Sequence, residues 1–369
     1  MTGDEGVDDT ALADAVAAIR RGEVIGLPTE TVYGLAADAG NREAVASIYR
    51  IKGRPTDHPL IVHVASGIEA ARWGRWNDAA QALSDACWPG PLTIVLPRRD
   101  DASPYACAGQ STVGLRVPSH PVAQALLRRL HAAGIAGLAA PSANRFGRVS
   151  PTQASHVRAD LGDALAIVLD GGAATIGIES TIVDLSGDRP RVLRPGHLSA
   201  DRIGSVLGVD PHTLDPTAGE PTAGDPAVAA AAVPRVPGSH RSHYAPRTPL
   251  VVVAPEALAS ALARARREHG RVAVWSARRP AGEQVLWIAR PESVVDAERT
   301  LYASLRALDA FGAGLIVVER PAAIDAALRA ADPAWAGIAD RLRRAAAATQ
   351  AVPAAPATGS ARTPQRASR

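Results

Sequence analysis

The residues best suited to chemistry are cations set beside glycine or proline. In "IKGRPTDHPLIVHV" (51–64), Lys52 and Arg54 flank Gly53. Residues two apart in an extended loop project to the same side. This pair therefore reads either as solvated loop charge or as two cations converging on a phosphate chain, Arg as a planar fork and Lys as a point charge. His63 shares a strand face with Ile61, opposite Leu60, Val62 and Val64, which fits a hydrogen-bonded core imidazole or a ligand contact. Arg116 in "GLRVP" and Arg194 in "LRPG" need a partner, either an internal carboxylate or a bound anion. "LAAPSANRFGRVSPTQ" (138–153) is either a turn before a helix or a ligand loop. In the second reading the small Ala139, Ala140 and Ala143 let a ligand lie against the backbone while Ser142, Asn144 and Ser150 reach phosphate oxygens. "GIESTIVDL" adds Ser180 and Thr181 at a strand start. Acidic candidates for a general base are few: Glu30, Asp57, Glu179 and Asp184. Cations at strand ends with so few carboxylates favour a reaction that neutralises anionic charge, such as nucleotidyl or phosphoryl transfer.

The elements that must position these residues form two groups. Residues 1 to about 208 read as one mixed α/β domain. A helix with Thr10 as its expected N-cap leads into a short strand ending at Pro28. A helix follows near 41–50 and another near 77–86, with apolar β-like runs in "LIVHV", "LTIVLP", "TVGLRVP", "IAGLAAP", "LAIVLD", "STIVDL" and "RVLRP". The stretch 210–234 is rich in Pro, Ala, Gly and Thr and repeats "PTAG"; it is expected to be a mobile linker. From Leu250 the alternation of strand and helix predicts a small parallel α/β domain, with strands at LVVVA, RVAVW and GLIVVE and helices at 255–269, 293–310, 322–331 and 334–347. The last twenty or so residues are expected to be disordered.

Composition narrows the class. The chain has 369 residues, enough for two cores, with 47% hydrophobic content and a formal charge of +3. That balance suits an anionic small ligand as well as it suits RNA, and the 4% aromatic content argues against base stacking as the main business. The two cysteines offer neither zinc spacing nor a disulfide framework. The N-terminus lacks a signal-peptide pattern and no apolar run is of membrane length, so a cytoplasmic protein is expected. No Walker-type phosphate loop, G-x-G-x-x-G, H-E-x-x-H or G-x-S-x-G is present.

Eight motifs in order, "PTETVYGL", "KGRP…HPLIVHV", "WPGPLTIVL", "VGLRVPSHPVA", "APSANRFGRVSPT", "GIESTIVDL", "VLRPG" and "PGSHRSHYAP", resemble the YrdC-type L-threonylcarbamoyladenylate synthases in their long, two-domain form. The resemblance is strong over 11–207 and 237–246; beyond that it rests on layout and the ending "ADRLRRAA". It implies a twisted mixed-sheet catalytic domain (1–208), a linker with a closing connector (209–249), a small Rossmann-like parallel α/β domain (250–347) and a disordered tail (348–369). It further implies that L-threonine, bicarbonate and ATP, with Mg2+ and no protein-bound metal, give threonylcarbamoyl-AMP and pyrophosphate. The product is the first intermediate toward N6-threonylcarbamoyladenosine in ANN-decoding tRNAs. Carried onto this chain, Thr31, His63, Arg116, Ala140 and Ser180 would line the threonine site. Arg54, His58, Thr112, Ser142, Asn144, Ser150, Arg194 and Tyr244 would line the ATP site, with Lys52 and Arg54 as the catalytic cations. His58 departs from the family's Asn before "PLI". The implied partner downstream is a tRNA threonylcarbamoyl transferase complex, with at most a weak RNA contact and no membrane. A non-catalytic RNA-binding protein is the competing class. The carbamoyl-transfer module of hydrogenase maturation is excluded by the missing upstream zinc motifs.

Overall fold

The computed structural model describes residues 8–215, 233–238, 243–281 and 285–350. Residues 216–232 of the linker expected over 210–234, the connector residues 239–242 and the tail from 351 lie outside the described residues; within the expected linker, Pro211–Leu214 form a 3-10 turn with Leu214 buried. The first sheet has eight strands: β1 (Ile25–Leu27), β2 (Gly34–Asp38), β3 (Ile61–His63), β4 (Leu92–Pro97), β5 (Thr112–Arg116), β6 (Leu138–Ala139), β7 (Thr181–Asp184) and β8 (Arg191–Arg194). Their spatial order is β1-β2-β6-β3-β5-β4-β7-β8. The sheet is mixed: β3 runs parallel to β5 and β4 to β7, while the other ladders are antiparallel.

Alternation along the central strands separates a core face from a ligand face. Val62, Leu115, Ile94 and Val183 join the main hydrophobic core beneath the sheet. Ile61, Val95 and Ile182 form a separate small cluster on the opposite face. On that opposite face the β3–β5 register sets His63 directly beside Arg116.

The second sheet comprises β9 (Leu250–Val253), β10 (Val272–Ser276), β11 (Val285–Ala289) and β12 (Leu315–Glu319), all parallel, in the order β11-β10-β12-β9. Helix Leu258–His269 contributes Leu262 and Ala265 to the core on one face. Helices Val294–Ala310 and Ala336–Gln350 cover the other, around the fully buried Trp275.

Several sequence expectations need correction. The first helix is capped by Asp8, whose carboxylate accepts from the Thr10 and Ala11 amides, so the cap lies two residues before Thr10. Strand β2 went unforeseen because Gly34, Ala36, Ala37 and Asp38, all of low β-propensity, make up four of its five residues. Strand β11 was also unforeseen; it is a half-buried edge strand. "IAGLAAP" supplies only the two-residue β6. "LAIVLD" makes a single bridge, Gly26 to Val168, while Leu165, Val168 and Leu169 are buried. The stretch 322–331 is not helical. Its backbone folds back through an Ile324–Ala330 bridge, and Leu328 takes a positive φ of 56°, which an α-helix cannot accommodate. The final helix continues to Gln350, past the boundary set for the tail.

Candidate active site

The ligand face of the first sheet, the loops entering it and the connector enclose a cavity with about 520 Å³ of empty space including its mouth. Its wall brings together Thr31, Arg54, His63, Arg116, Ala140, Ser142, Ser180, Arg194 and Tyr244, nine residues drawn from both expected subsites. Three guanidinium groups face one carboxylate, that of Glu179. The local charge is positive in a partly desolvated space, which favours a polyanionic ligand.

Each cation is held by backbone oxygens. Arg54 Nη2 donates to the Pro59 carbonyl at 3.0 Å, and its Nε is buried without a hydrogen-bond partner. Burial pushes its pKa down to about 10, which leaves it charged at neutral pH. Arg194 Nε and Nη2 donate to the Ser180 carbonyl at 3.1 and 2.9 Å, and Nη1 reaches the Pro237 carbonyl at 2.9 Å. Arg116 has the internal carboxylate that the sequence left open: Nη2 lies 2.7 Å from Glu30 Oε1, with Nε donating to the Gly90 carbonyl at 3.3 Å. Glu30 Oε2 is buried without a partner, so this pair retains capacity toward a ligand. Burial, then the charge of Arg116, pushes the His63 pKa down to about 3. His63 is therefore a neutral imidazole beside the cations, suited to hydrogen bonding and unsuited to acting as a cation.

Five of the expected residues lie off this wall. Lys52 is 3% exposed; its ammonium donates to the carbonyls of Ser142 and Asn144, the latter at 2.7 Å. Burial, then Arg54, lowers its pKa well below the ordinary value. It thus holds the 142–144 loop from behind. Asn144 Nδ2 donates to the Arg145 and Arg148 carbonyls, both at 2.8 Å, and Ser150 Oγ donates to Glu179 Oε1 at 2.5 Å. Thr112 borders a narrow slot that shares Ile61 and Pro237 with the main cavity. His58 is half-buried, set edge-on to Phe146 at 5.5 Å.

The connector covers the cavity. Gln110 brackets Arg235 through its backbone N–H (2.7 Å) and carbonyl (3.1 Å), and Ala245 bridges to Arg148. Tyr244 is 1% exposed in the left-handed region at φ 60°, an uncommon conformation for an aromatic residue that its surroundings must hold. Its Oη and the His243 Nδ1 are buried without hydrogen-bond partners. Burial lowers the His243 pKa to about 3, so this imidazole is also neutral.

Sequence reasoning gave no site role to Thr29, His243, Tyr302 or Arg341, and it named Glu30 only as a candidate general base, where the structure pairs it with Arg116. Thr29 and Glu30 fall inside "PTETVYGL", His243 inside "PGSHRSHYAP" and Arg341 inside "ADRLRRAA"; Tyr302 carries no local signal. His197 is another such contact: its Nδ1 lies 2.7 Å from Glu298 Oε2, tying the loop after Arg194 to helix Val294–Ala310. The hydrogen bond to Glu298 raises the His197 pKa. A raised folded pKa means that this contact stabilises fully below about pH 6.5 and is lost as pH rises through the folded value. The melting-temperature gap between the wild type and His197→Asn is therefore expected to shrink from about pH 6 to about pH 9. A gap independent of pH would refute the ion pair.

Fold and cavity together define a class, that of two-domain α/β proteins whose cationic concave site is covered from the second domain's side. The Sua5/YciO/YrdC family profile, described as telomere recombination, matches residues 17–196, and that of the threonylcarbamoyl-AMP synthase C-terminal domain matches 199–347. The chain is 38% identical to the threonylcarbamoyl-AMP synthase of Bacillus subtilis (strain 168), over 86% of this chain and 90% of that one. It is 33% identical to the synthase of Pyrococcus abyssi, over 85% and 90%. The crystal structure of P. abyssi Sua5 complexed with L-threonine superposes with a TM-score of 0.78 at 31% identity, covering 94% of this chain and 96% of that one. The chain belongs to the Sua5/YciO/YrdC family, in its two-domain threonylcarbamoyl-AMP synthase form. No helix among the described residues is long and apolar enough to cross a membrane.

Proposed function

We infer that the chain is an L-threonylcarbamoyladenylate synthase, using L-threonine, bicarbonate and MgATP. The observation that carries this is the cavity wall itself: Arg54, Arg116 and Arg194 converge with neutral His63 around one carboxylate. The Arg116–Glu30 pair with Thr31, His63, Ala140 and Ser180 forms the threonine end. Arg116 takes the carboxylate and the hydroxyls and imidazole take the remaining polar groups. Arg54, Ser142 and Arg194 form the phosphate end, with His58, Thr112, Asn144 and Ser150 around it and Lys52 holding the 142–144 loop from behind.

The threonine amine adds to bicarbonate with loss of water to give a carbamate. A carbamate oxygen then attacks the α-phosphorus of ATP, the α–β bridging bond breaks and pyrophosphate leaves. The chain supplies position and charge, and no protein nucleophile is needed. Magnesium enters with ATP as part of the substrate. Tyr244, closing from the connector, keeps water from the short-lived carbamate. Residues 1–208 are the catalytic part, 209–249 the linker and connector, and 250–347 the second domain. The product passes to a tRNA threonylcarbamoyl transferase in the cytoplasm.

The test is direct. Purified protein with MgATP, bicarbonate and threonine should release pyrophosphate only when threonine is present and should yield a species with the mass of threonylcarbamoyl-AMP. Pyrophosphate release indifferent to threonine would refute the proposal.

A further inference from the structure

Beneath the connector, the second domain reaches the cavity through one buried carboxylate. Glu179 lines the cavity, and both its oxygens are engaged from outside it. Oε1 accepts from Ser150, and Oε2 accepts from Tyr302 Oη at 2.8 Å and from Arg341 Nε at 2.9 Å. Burial alone would push its pKa up, but Arg341, Arg194 and the two hydroxyls hold it down at about 2. The carboxylate therefore stays ionised in a site that must accept phosphates, and Arg341 is the cation that offsets it.

Arg341, 1% exposed, does more than neutralise. Its Nη2 donates to the Glu179 carbonyl at 3.3 Å and its Nη1 to the Pro195 carbonyl at 2.8 Å. Those carbonyls adjoin Ser180 and Arg194, which are themselves joined by Arg194 Nη2 to Ser180 Oγ at 3.1 Å. One guanidinium thus sets the spacing of the two strand ends that carry a hydroxyl and a cation into the cavity. The same guanidinium lies over the Tyr244 ring, 5.0 Å from its centroid, and the Tyr302 ring stacks on Tyr244 at 5.9 Å and 28°. The helix reaches this depth because Gly337 meets Gly196; a Cβ on Gly337 would fall 2.7 Å from Ile178 Cδ1 and 3.2 Å from the Gly196 carbonyl.

We propose that Arg341 and Tyr302 of the second domain are positioning residues for the reaction. Arg341 fixes Ser180 and Arg194 and offsets Glu179, and the two side chains together form the seat on which Tyr244 closes. The inference rests on the synthase reading and adds to it that the second domain is part of the ATP site. Residues that only glue the domains together would change stability and leave the catalysis of the folded molecules unchanged.

The experiment uses the full chain and the variants Arg341→Lys, Tyr302→Phe and Tyr302→Leu. It measures melting temperature, KM for ATP and for threonine, product formed per ATP consumed, and ATP affinity by calorimetry without threonine. Arg341→Lys keeps the charge and loses the fork, so KM for ATP should rise about tenfold or more, and KM for threonine should rise with it because the same fork holds Ser180. Tyr302→Leu removes the seat and should lower product per ATP severalfold. Tyr302→Phe keeps the ring and should retain most of that yield. A folded Arg341→Lys protein with wild-type KM for ATP, or a Tyr302→Leu protein with wild-type yield, would overturn the proposal. If Arg341→Lys does not fold, Tyr302→Leu decides it alone. Should the wild type release no threonine-dependent pyrophosphate, the synthase reading fails by itself. The positioning claim is then judged on calorimetry, where Arg341→Lys must still weaken ATP binding about tenfold to survive.

Discussion

Arg116→Ala is expected to lower the melting temperature by roughly 6–20 °C and to cut kcat/KM for threonine by about 10- to 150-fold. The first figure follows from the Glu30 pair, both of whose side chains are nearly inaccessible. Removing one partner of a buried pair leaves a desolvated charge behind, at a cost of about 3–5 kcal/mol, and each kcal/mol is worth roughly 2–4 °C in a domain of this size. The second figure follows from a lost charge-assisted contact to the threonine carboxylate, about 1.5–3 kcal/mol. The two effects separate in a double variant. Glu30→Gln in the Arg116→Ala background removes the stranded charge and should recover most of the stability, while threonine use stays impaired. If the double variant regains threonine use as well, Arg116 acts on stability alone and the assignment to threonine is wrong. Calorimetric melting and initial rates at varied threonine read both.

Arg54→Ala should act on the other substrate. Arg54 spends one nitrogen on the Pro59 carbonyl and keeps a buried Nε without a partner, beside the Phe146 ring at 5.8 Å. It is thus held in place with hydrogen-bonding capacity left for a phosphate. Losing that contact should reduce kcat/KM for ATP by about 10- to 150-fold, the equivalent of ~1.5–3 kcal/mol, with KM for threonine changed far less. The fold should tolerate the change better than Arg116→Ala, because no buried carboxylate among the described residues is paired with Arg54. Initial rates at varied ATP and fixed saturating threonine are the measurement. Equal losses on both substrates would reject the division of the cavity into two ends.

Much of this arrangement was legible in the residues. Asn41 and Asn77 mark helix starts, and both do cap the helices that follow them. The alternation in "TVGLRVP" assigns Arg116 to the face opposite Val113 and Leu115, as found. The division of "LIVHV" into two faces holds as well, with Leu60, Val62 and Val64 in the main core and Ile61 outside it. Local sequence failed where propensity and tertiary context disagree. The alanine-rich 322–331 favours a helix by propensity, yet hydrogen bonds between Asp325 and Arg329 close a turn there. "LAIVLD" has the composition of a strand but buries Leu165, Val168 and Leu169 with only one bridge to a neighbour.

The sequence alone determined which kinds of groups the site would use, because residue type and strand alternation are local properties: guanidinium groups beside Gly or Pro, a strand histidine, and hydroxyls in small-residue loops. Only the tertiary structure decided what each charge meets. Arg116 finds Glu30 across 86 residues and Glu179 finds Arg341 across 162. Neither choice could be read from spacing, because the cost of a buried charge is relieved by whichever partner the fold brings within about 3 Å, and that distance is set by packing of the whole chain. For the same reason Lys52, so prominent in "IKGRP", turns inward to two backbone carbonyls, while Tyr302 and Arg341, to which the sequence assigned no site role, arrive beside Tyr244.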